Sequence, residues 1–349
     1  MPQPFAFRAR KIIDNLGLPN NKVLPFKFSA IPPWRLPDVE CCEYFTTSKK
    51  EVSEEQMKII FLNHAHEHAN AVSIYTDGSK SNAGVGFGVI SSSFERSGRL
   101  PNSASIFTAE LYGIFTAVKE IILSDESNFI IFCDSKSVLQ SLKDFNSAHP
   151  LVREILEWLF LAKRRGRTVR FCWVPAHVGI SGNERADNLA KYATSQLEPR
   201  IHPLPFRDLI PTIRNRIRSI WQYSWENLSE TNQKMREITS SSHPWTYSPM
   251  PRRWETALCR LRIGHTKVTH GFLMERSHQP YCDDCLVPLT VRHLLAECPS
   301  LGDERGQFLQ YGKGGDGNFL ISKILDEDGV FDLSGLFGFL SSINILHIL

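Results

Sequence analysis

The sequence predicts an α/β protein, with a mixed five-stranded sheet and flanking helices in the middle of the chain and a mostly helical C-terminal region. Two observations predict this fold class. Strand-like apolar segments come first, between residues 72 and 100, and then alternate with helical patterns as far as residue 195. Strands that lead and then alternate with helices are typical of a mixed sheet covered by helices. Beyond residue 203 the chain shows helical spacing without strand patterns, which predicts helices.

Three strands are predicted to open the sheet. Val72–Thr76 alternates between apolar and polar residues and runs into a break at Gly78. A glycine-rich apolar segment, Gly84–Ile90, follows it, and a third strand covers Arg96–Leu100. The links between these segments are short, which favours an antiparallel meander.

A helix is predicted to begin after Ser103 or Ser105, because apolar residues then recur at helical spacing. Glu110 shares a face of this helix with Ile114 and Ile121, so its carboxylate points inward. The remaining elements follow in order: a buried strand Asn128–Cys133, helices Ser135–Lys143 and Leu151–Arg165, a strand Thr168–Val174 and a helix Gly182–Ser195.

The chain has 349 residues, of which 42% are hydrophobic, so it can bury one large core or two modest ones. Residues 1–70 are interrupted by prolines and predict an irregular tail or connector with one short helix near Glu54–His64. The predicted domains are therefore the tail (1–70), the sheet domain (71–196) and the helical region (203–349). The net charge of +3 does not by itself indicate a nucleic-acid partner.

Two terminal segments bear on location. No apolar stretch follows the N-terminus, which predicts an intracellular protein, cytoplasmic or nuclear. Leu333–Leu349 is an apolar run of 17 residues that contains Ser341, Ser342, Asn344 and His347. It is short for a membrane span of about 20 residues. We therefore expect a terminal amphipathic helix packed on the second region, and no membrane partner.

Four acidic residues stand where predicted strands end or helices begin: Asp77, Glu110, Asp134 and Asp187. Their neighbours are small or apolar, which is unusual for solvated surface acids. Four clustered carboxylates repel one another unless cations lie between them, and Mg²⁺ prefers such oxygen ligands. The pattern predicts a metal-dependent hydrolase. The alternative is that the acids serve local structure, with Asp134 capping a helix and Asp187 pairing with Lys191.

The segments around these acids resemble the ribonuclease H type 1 family. The matching segments are YTDGS at Asp77, TAEL at Glu110, CDS at Asp134, and VPAHVGISGNERADNLA with His177 and Asp187. The four acids are separated by 33, 24 and 53 residues, and order and context agree over roughly Val72–Ser195. The resemblance implies an endonuclease that cuts the RNA strand of RNA–DNA hybrids, with two Mg²⁺ ions (Mn²⁺ able to substitute) on the four acids and His177 as a mobile assistant.

The two-metal arrangement also has a physical basis, because paired cations about 4 Å apart activate water and neutralise a leaving oxygen. More narrowly, WVPAHVGISGNERAD followed by a CxxC-containing tail resembles the ribonuclease H end of non-LTR retrotransposon polyproteins of the Jockey and R1 type. The alternatives are a catalytically silent nucleic-acid-binding remnant of such a polyprotein, a transposase or integrase of the same sheet topology, and a host ribonuclease H. Transposases typically use a D-D-E order, whereas the order here is D-E-D-D. A host enzyme is expected to carry a basic, aromatic hybrid-binding module upstream, which residues 1–70 do not resemble.

Contacts to the hybrid are predicted at the backbone near Gly78 and Ser79 and at a basic run downstream. That run comprises Lys163, Arg164, Arg165 and Arg167. The segment between Asp134 and His177 is too short for the extra basic protrusion of some family members. Hybrid recognition is expected to use groove shape and 2′-hydroxyl groups, with no small-molecule cofactor.

A second candidate metal site is Cys282-x2-Cys285-x7-His293-x4-Cys298, whose three thiols and imidazole form a tetrahedral zinc ligand set. The alternative is that these cysteines are ordinary buried residues of a helical core. His64, His66 and His68 alternate along the chain and invite a metal-site interpretation too. In a connector, such histidines are expected to be solvated.

Overall fold

A computed structural model describes residues 4–15, 23–26, 31–42, 52–196, 202–227, 234–243, 250–325 and 333–348. The chain forms two compact units, residues 1–214 and 215–349. The boundary between them falls inside a long helix, α7 (Phe206–Glu226). The three predicted domains, with boundaries near residues 70 and 203, concern parts that fold independently and stay a prediction.

The first unit is built on a six-stranded mixed sheet. Its strands are β1 (Cys41–Cys42), β2 (Val72–Ser81), β3 (Gly84–Ser91), β4 (Glu95–Leu100), β5 (Asn128–Cys133) and β6 (Thr168–Trp173). Their order across the sheet is β1-β6-β5-β2-β3-β4. The β2–β3 and β3–β4 pairs are antiparallel, while β2–β5, β5–β6 and β1–β6 are parallel.

Helices cover both faces of this sheet. They are α2 (Glu54–Glu67), α3 (Ile106–Leu123), α4 (Lys136–Leu142), α5 (Pro150–Arg164) and α6 (Ser181–Thr194). A further helix, α1 (Phe5–Asn15), precedes them in the chain and has no buried residue. Strand β5 shows why the sequence reads as a continuous apolar run: Phe129 and Ile131 belong to the major core with α3 and α5, whereas Ile130 and Phe132 face the other side. A strand that is buried on both faces has no polar alternation.

The second face carries a smaller apolar group, which we call the α2-face cluster. It consists of Met57, Phe61, Ile130, Phe132, Cys172, Val174, Val178 and Ile180. Helix α2 supplies Met57 and Phe61, and it begins with a capping box in which Ser53 and Gln56 exchange hydrogen bonds. The helix is thus anchored at its first turn and buried along one side.

The mixed sheet and flanking helices predicted from the sequence are confirmed, and all five predicted strands are present. Four of them agree with the prediction within one residue at each end. The predicted break at Gly78 was wrong, because β2 continues through it from Thr76 to Ser81. The prediction was incomplete at the N-terminus. Residues 1–70 hold α1, an α2 that extends to Glu67, and the short strand β1, which adds a sixth strand beside β6. The prolines of this region interrupt the hydrophobic periodicity of the sequence, so its secondary structure was not fully predicted.

The second unit is mostly helical, as predicted. Its helices are α8 (Lys234–Ile238), α9 (Arg252–Ile263), α10 (Lys267–His270), α11 (Phe272–Glu275), α12 (Gly302–Phe308), α13 (Ile321–Leu325) and α14 (Leu333–Ser342). Helix α14 lies in the apolar terminal run and buries Leu336, Phe337, Phe339 and Leu340 in the core of this unit. Within the part of the chain that the structure describes, no helix has the length and apolar character needed to cross a membrane.

Candidate active site

Neighbouring parallel strands bring Asp77 and Asp134 together. In the register of β2 and β5, Thr76 lies opposite Cys133, so the next residue of each chain segment is an aspartate. Asp77 continues β2, whereas Asp134 leaves the carboxyl end of β5 just before α4. Side chains at the carboxyl ends of parallel strands share one edge of the sheet, which is a frequent location of functional sites.

Glu110 approaches these aspartates because α3 crosses closely over Gly78. A Cβ atom at Gly78 would stand 2.7 Å from the backbone nitrogen of Glu110 and 3.0 Å from the Cβ of Ala109. The absence of a side chain at Gly78 therefore allows the first turns of α3 to contact β2. The Gly78 N–H also donates to the carboxylates of Asp77 and Glu110.

The fourth carboxylate, Asp187, is buried on α6. This helix packs against β3 at two glycines: a Cβ at Gly88 would lie 2.5 Å from the Ala186 carbonyl oxygen and 2.8 Å from the Ala190 nitrogen. Close backbone packing thus fixes the depth at which Asp187 enters the site. Lys191, one turn further along, donates to Asp187 Oδ2 at 2.6 Å.

His177 lies beside Asp187 on the loop between β6 and α6, with its Nδ1 3.9 Å from Asp187 Oδ2. Its side chain is 67% exposed, and its backbone adopts the left-handed conformation with φ of 57°. The next loop residues, Val178 and Ile180, are buried in the α2-face cluster. The loop therefore has apolar residues anchored under α2 and a histidine that remains open to solvent.

The four carboxylates interact strongly. Burial, followed by the nearby charges of Asp134 and Asp187, raises the pKa of Asp77 to about 8. Burial, with Asp77 and Asp134 nearby, raises the pKa of Glu110 well above its ordinary value. Burial also raises the pKa of Asp134. Buried like charges disfavour ionisation, so this donor set fits a bound cation that would neutralise it.

Three residues that the sequence reasoning missed support Asp134 and Glu110. The buried Asn183 side chain hydrogen-bonds to Asp134, and Trp173 Nε1 donates to the Asp134 carbonyl oxygen at 2.8 Å. The Cys133 thiol lies 3.9 Å from Glu110 Oε2. Asn183 precedes Asp187 by four residues and so shares its helix face, a spacing that could have identified it.

The alternative roles of the acids can be compared with the structure. Ser135, and not Asp134, occupies the N-cap of α4, and its side chain makes no cap hydrogen bond. The predicted pair between Asp187 and Lys191 is present. Asp187 therefore forms a local ion pair and also belongs to the group of four carboxylates. Roles in local structure alone do not explain why the four carboxylates lie together.

The predicted nucleic-acid contacts fall into two groups. Gly78 and Ser79 lie on β2 directly beside the carboxylates. The basic run lies at the start of β6, whereas the acids lie at the end of β5, which runs parallel to it. A six-residue strand separates the two ends by roughly 20 Å.

Members of the basic run also differ in their contacts. Arg165 donates to the Ile122 carbonyl oxygen and Arg167 to that of Ser124, so both secure the end of α3 to the loop before β6. Lys163 and Arg164 are exposed. The structure does not bring any of the four to the carboxylates.

The second candidate site is assembled in unit 2. The ligand atoms of Cys282, Cys285, His293 and Cys298 all lie within 4.8 Å of one another. Cys298 Sγ is 3.8 Å from Cys282 Sγ and 3.7 Å from Cys285 Sγ. The His293 Nε2 atom is buried without a hydrogen-bond partner among the described residues. These donors could form a zinc site, since a buried imidazole nitrogen beside three thiols suits zinc.

The metal-free protein is expected to lose stability as pH rises from about 4 to 8. Asp77 has a pKa of about 8 when folded and near 3.9 in an unfolded chain, so folding favours its protonated form. The stability contributed by this proton is fully present below the unfolded pKa and is lost as pH rises through the folded pKa. Urea unfolding with a chelator at several pH values measures how the free energy of unfolding depends on pH. The Asp77→Asn variant should show a weaker dependence than the wild type. Equal slopes for both proteins would contradict this assignment.

Comparison with known proteins agrees with the fold. The RNase H family model matches residues 69–195, which span β2 to the end of α6 and contain all four carboxylates and His177. No curated protein matches the chain at significant similarity.

Proposed function

Residues 69–195 form a domain of the ribonuclease H family, and from this premise we propose that the protein hydrolyses the RNA strand of RNA–DNA hybrids by a two-metal-ion mechanism. The family supports a nuclease that acts on such hybrids. The observation that carries the finer proposal is the convergence of four carboxylates, three of which have a pKa raised by burial and by neighbouring carboxylates.

We propose that Asp77, Glu110, Asp134 and Asp187 hold two Mg²⁺ ions, for which Mn²⁺ can substitute. Oxygen donors of this kind suit hard divalent cations. When bound, such cations activate an attacking water and neutralise the leaving 3′ oxygen. Around them, Asn183 orients Asp134, and the Gly78 N–H orients Asp77 and Glu110.

His177 is the proposed proton carrier. Its Nδ1 is 3.9 Å from Asp187, its ring is solvent-exposed, and its loop is anchored by Val178 and Ile180. An imidazole in this position can accept and release a proton during the reaction. It can therefore help to position the attacking water or release the product.

The His177→Ala variant should retain activity at a reduced level, with kcat lower by roughly a hundredfold, since a proton carrier assists the reaction without holding the cations. Steady-state cleavage of labelled hybrid measures the change. His66→Ala removes an exposed histidine from α2 and serves as the matched control. Wild-type turnover in His177→Ala would exclude the proposed role.

The test of the function is cleavage of labelled RNA–DNA hybrid, compared with RNA–RNA and DNA–DNA duplexes, with Mg²⁺ and with chelator. We expect cleavage of the RNA strand of the hybrid alone, and only with the cation.

The second candidate function is a catalytically silent nucleic-acid-binding remnant. Hybrid binding without cleavage, in a folded protein supplied with Mg²⁺ or Mn²⁺, would favour it.

We also propose that Cys282, Cys285, His293 and Cys298 hold a structural Zn²⁺. The buried Arg305 supports this arrangement because its guanidinium donates to the carbonyl oxygens of Leu294 and Cys298. A ligand set of four protein atoms leaves no position for water, which is typical of structural zinc. The resemblance of this Cys/His tail to that of retrotransposon polyproteins is also the basis for proposing a retrotransposon origin. We propose an intracellular location as well, because thiols remain reduced in such compartments.

Zinc removal should unfold unit 2. Val291 and Leu295 flank His293 and belong to the core of this unit, so loss of the metal also loosens its apolar packing. Metal analysis and thermal unfolding of Cys282→Ser, compared with the exposed Cys259→Ser, test the expectation. A wild-type protein without zinc, together with unchanged unfolding of Cys282→Ser, would make the cluster ordinary core.

A further inference from the structure

A third group of metal-ligand side chains lies in the N-terminal region, outside the segment that matches the family. Cys42 belongs to β1, while His64 and His68 belong to the last turn of α2 and its C-cap. One ligand atom from each of the three residues lies within 4.8 Å of the other two. The end of α2 and strand β1 therefore lie side by side at this point.

The sheet explains the direction of Cys42. β1 pairs with β6 in parallel, with Cys41 opposite Phe171 and Cys42 opposite Cys172. Phe171 belongs to the major core and Cys172 to the α2-face cluster, and the two β1 cysteines divide in the same way. Cys42 therefore faces α2, whereas its neighbour Cys41 faces the opposite side of the sheet.

The helix explains the choice of histidines. His64 and His68 are four residues apart, so they share one helix face, and their ring centroids are 4.6 Å apart. His64 is 2% exposed. His66, between them, is exposed and is not part of the group. The alternating histidines of the sequence are therefore a helical i, i+4 pair with one solvated residue between them.

From this juxtaposition we propose that Cys42, His64 and His68 form a binding site for a divalent transition-metal ion of the Zn²⁺ class. One thiolate and two imidazoles suit zinc and are poor ligands for Mg²⁺.

The bound ion would connect β1 to the end of α2. Helix α2 also supplies Met57 and Phe61 to the cluster that anchors Val178 and Ile180, next to His177. A metal ion at this point would stabilise the N-terminal region on the sheet. It differs in ligand chemistry from the carboxylate site, and its existence does not depend on the proposed catalytic function.

The test uses Co²⁺ as a spectroscopic probe of the metal-free, reduced full-length chain. Thiolate-bound Co²⁺ gives a charge-transfer band that carboxylate-bound Co²⁺ lacks, so ions held by carboxylates alone do not contribute to it. We expect two thiolate-bound equivalents in the wild type, one at the Cys282 cluster and one at Cys42. Cys42→Ser should leave one equivalent, and His68→Gln should weaken the N-terminal site at least tenfold.

The chain provides matched controls. Cys41→Ser changes the neighbouring cysteine on the opposite sheet face, and His66→Gln changes the exposed histidine of the same helix; both should retain two equivalents. Zn²⁺ should displace Co²⁺ from both sites. An unchanged number of thiolate-bound equivalents on going from wild type to Cys42→Ser would overturn the proposal. So would equal loss in Cys41→Ser and Cys42→Ser, which would indicate general disruption of β1.

Discussion

Replacing Asp134 with asparagine is expected to abolish hybrid cleavage while the protein stays folded. Asp134 lies at the end of β5, where its charge combines with those of Asp77 and Glu110. The amide has nearly the same shape, so the hydrogen bond from Trp173 to the backbone of residue 134 is retained. Loss of one anionic ligand costs several kcal/mol of cation-dependent transition-state stabilisation, equivalent to a fall of about 10³-fold or more.

The same substitution should leave the metal-free protein as stable as the wild type or more so, because it removes one of several buried like charges. Cleavage of labelled hybrid with Mg²⁺ and with Mn²⁺ measures the first effect, and thermal unfolding with chelator measures the second. Asp125→Asn is the matched control, since Asp125 is exposed in the loop before β5, at the opposite end of the strand. Full activity of Asp134→Asn with Mg²⁺ would refute the two-metal assignment.

Gly88→Ala is expected to destabilise unit 1 strongly. The added methyl group would meet the Ala186 carbonyl oxygen at 2.5 Å and the Ala190 nitrogen at 2.8 Å, and both are backbone atoms of α6. A backbone cannot rotate away as a side chain can, so the helix must shift. Overpacking of this kind costs about 3 kcal/mol, or ~6–12 °C in Tm for a unit of this size.

Because α6 carries Asp187, Gly88→Ala should also lower cleavage activity beyond the effect of partial unfolding. Gly113→Ala is the control within α3: its nearest neighbour is the Thr76 Cβ at 3.4 Å, an ordinary contact. Alanine favours helix over glycine by up to ~1 kcal/mol, so this variant should be neutral or slightly stabilised. Similar melting temperatures for the two variants would show that α6 does not depend on close packing at Gly88.

The core of the sheet domain could be predicted because its signals are local. Asn128–Cys133 reads as a buried strand since both of its faces are covered, and the structure gives it the same bounds. Glu110 was expected to point inward from helical spacing, and it is buried beside Gly78. In each case one segment of sequence contains the whole pattern.

Features that depend on distant segments could not be predicted in this way. Strand β1 has two residues, and its pairing with β6 joins positions about 130 residues apart. The run from Lys163 to Arg167 was predicted to contact the hybrid because it is basic. Its charge does not indicate at which end of the parallel strands it lies. The support that Trp173 gives to Asp134 likewise depends on the register of two strands.

Helix α2 packs on the second face of the sheet, and this has a consequence for synthesis of the chain on the ribosome. Met57 and Phe61 emerge long before their partners Phe132, Val178 and Ile180. At ~5–20 residues per second, the wait until residue 180 is made is about 6 to 25 seconds. During that interval the apolar side of a completed helix lacks its native cover. The nascent chain therefore presents a hydrophobic segment to chaperones well before the carboxylate site can be assembled.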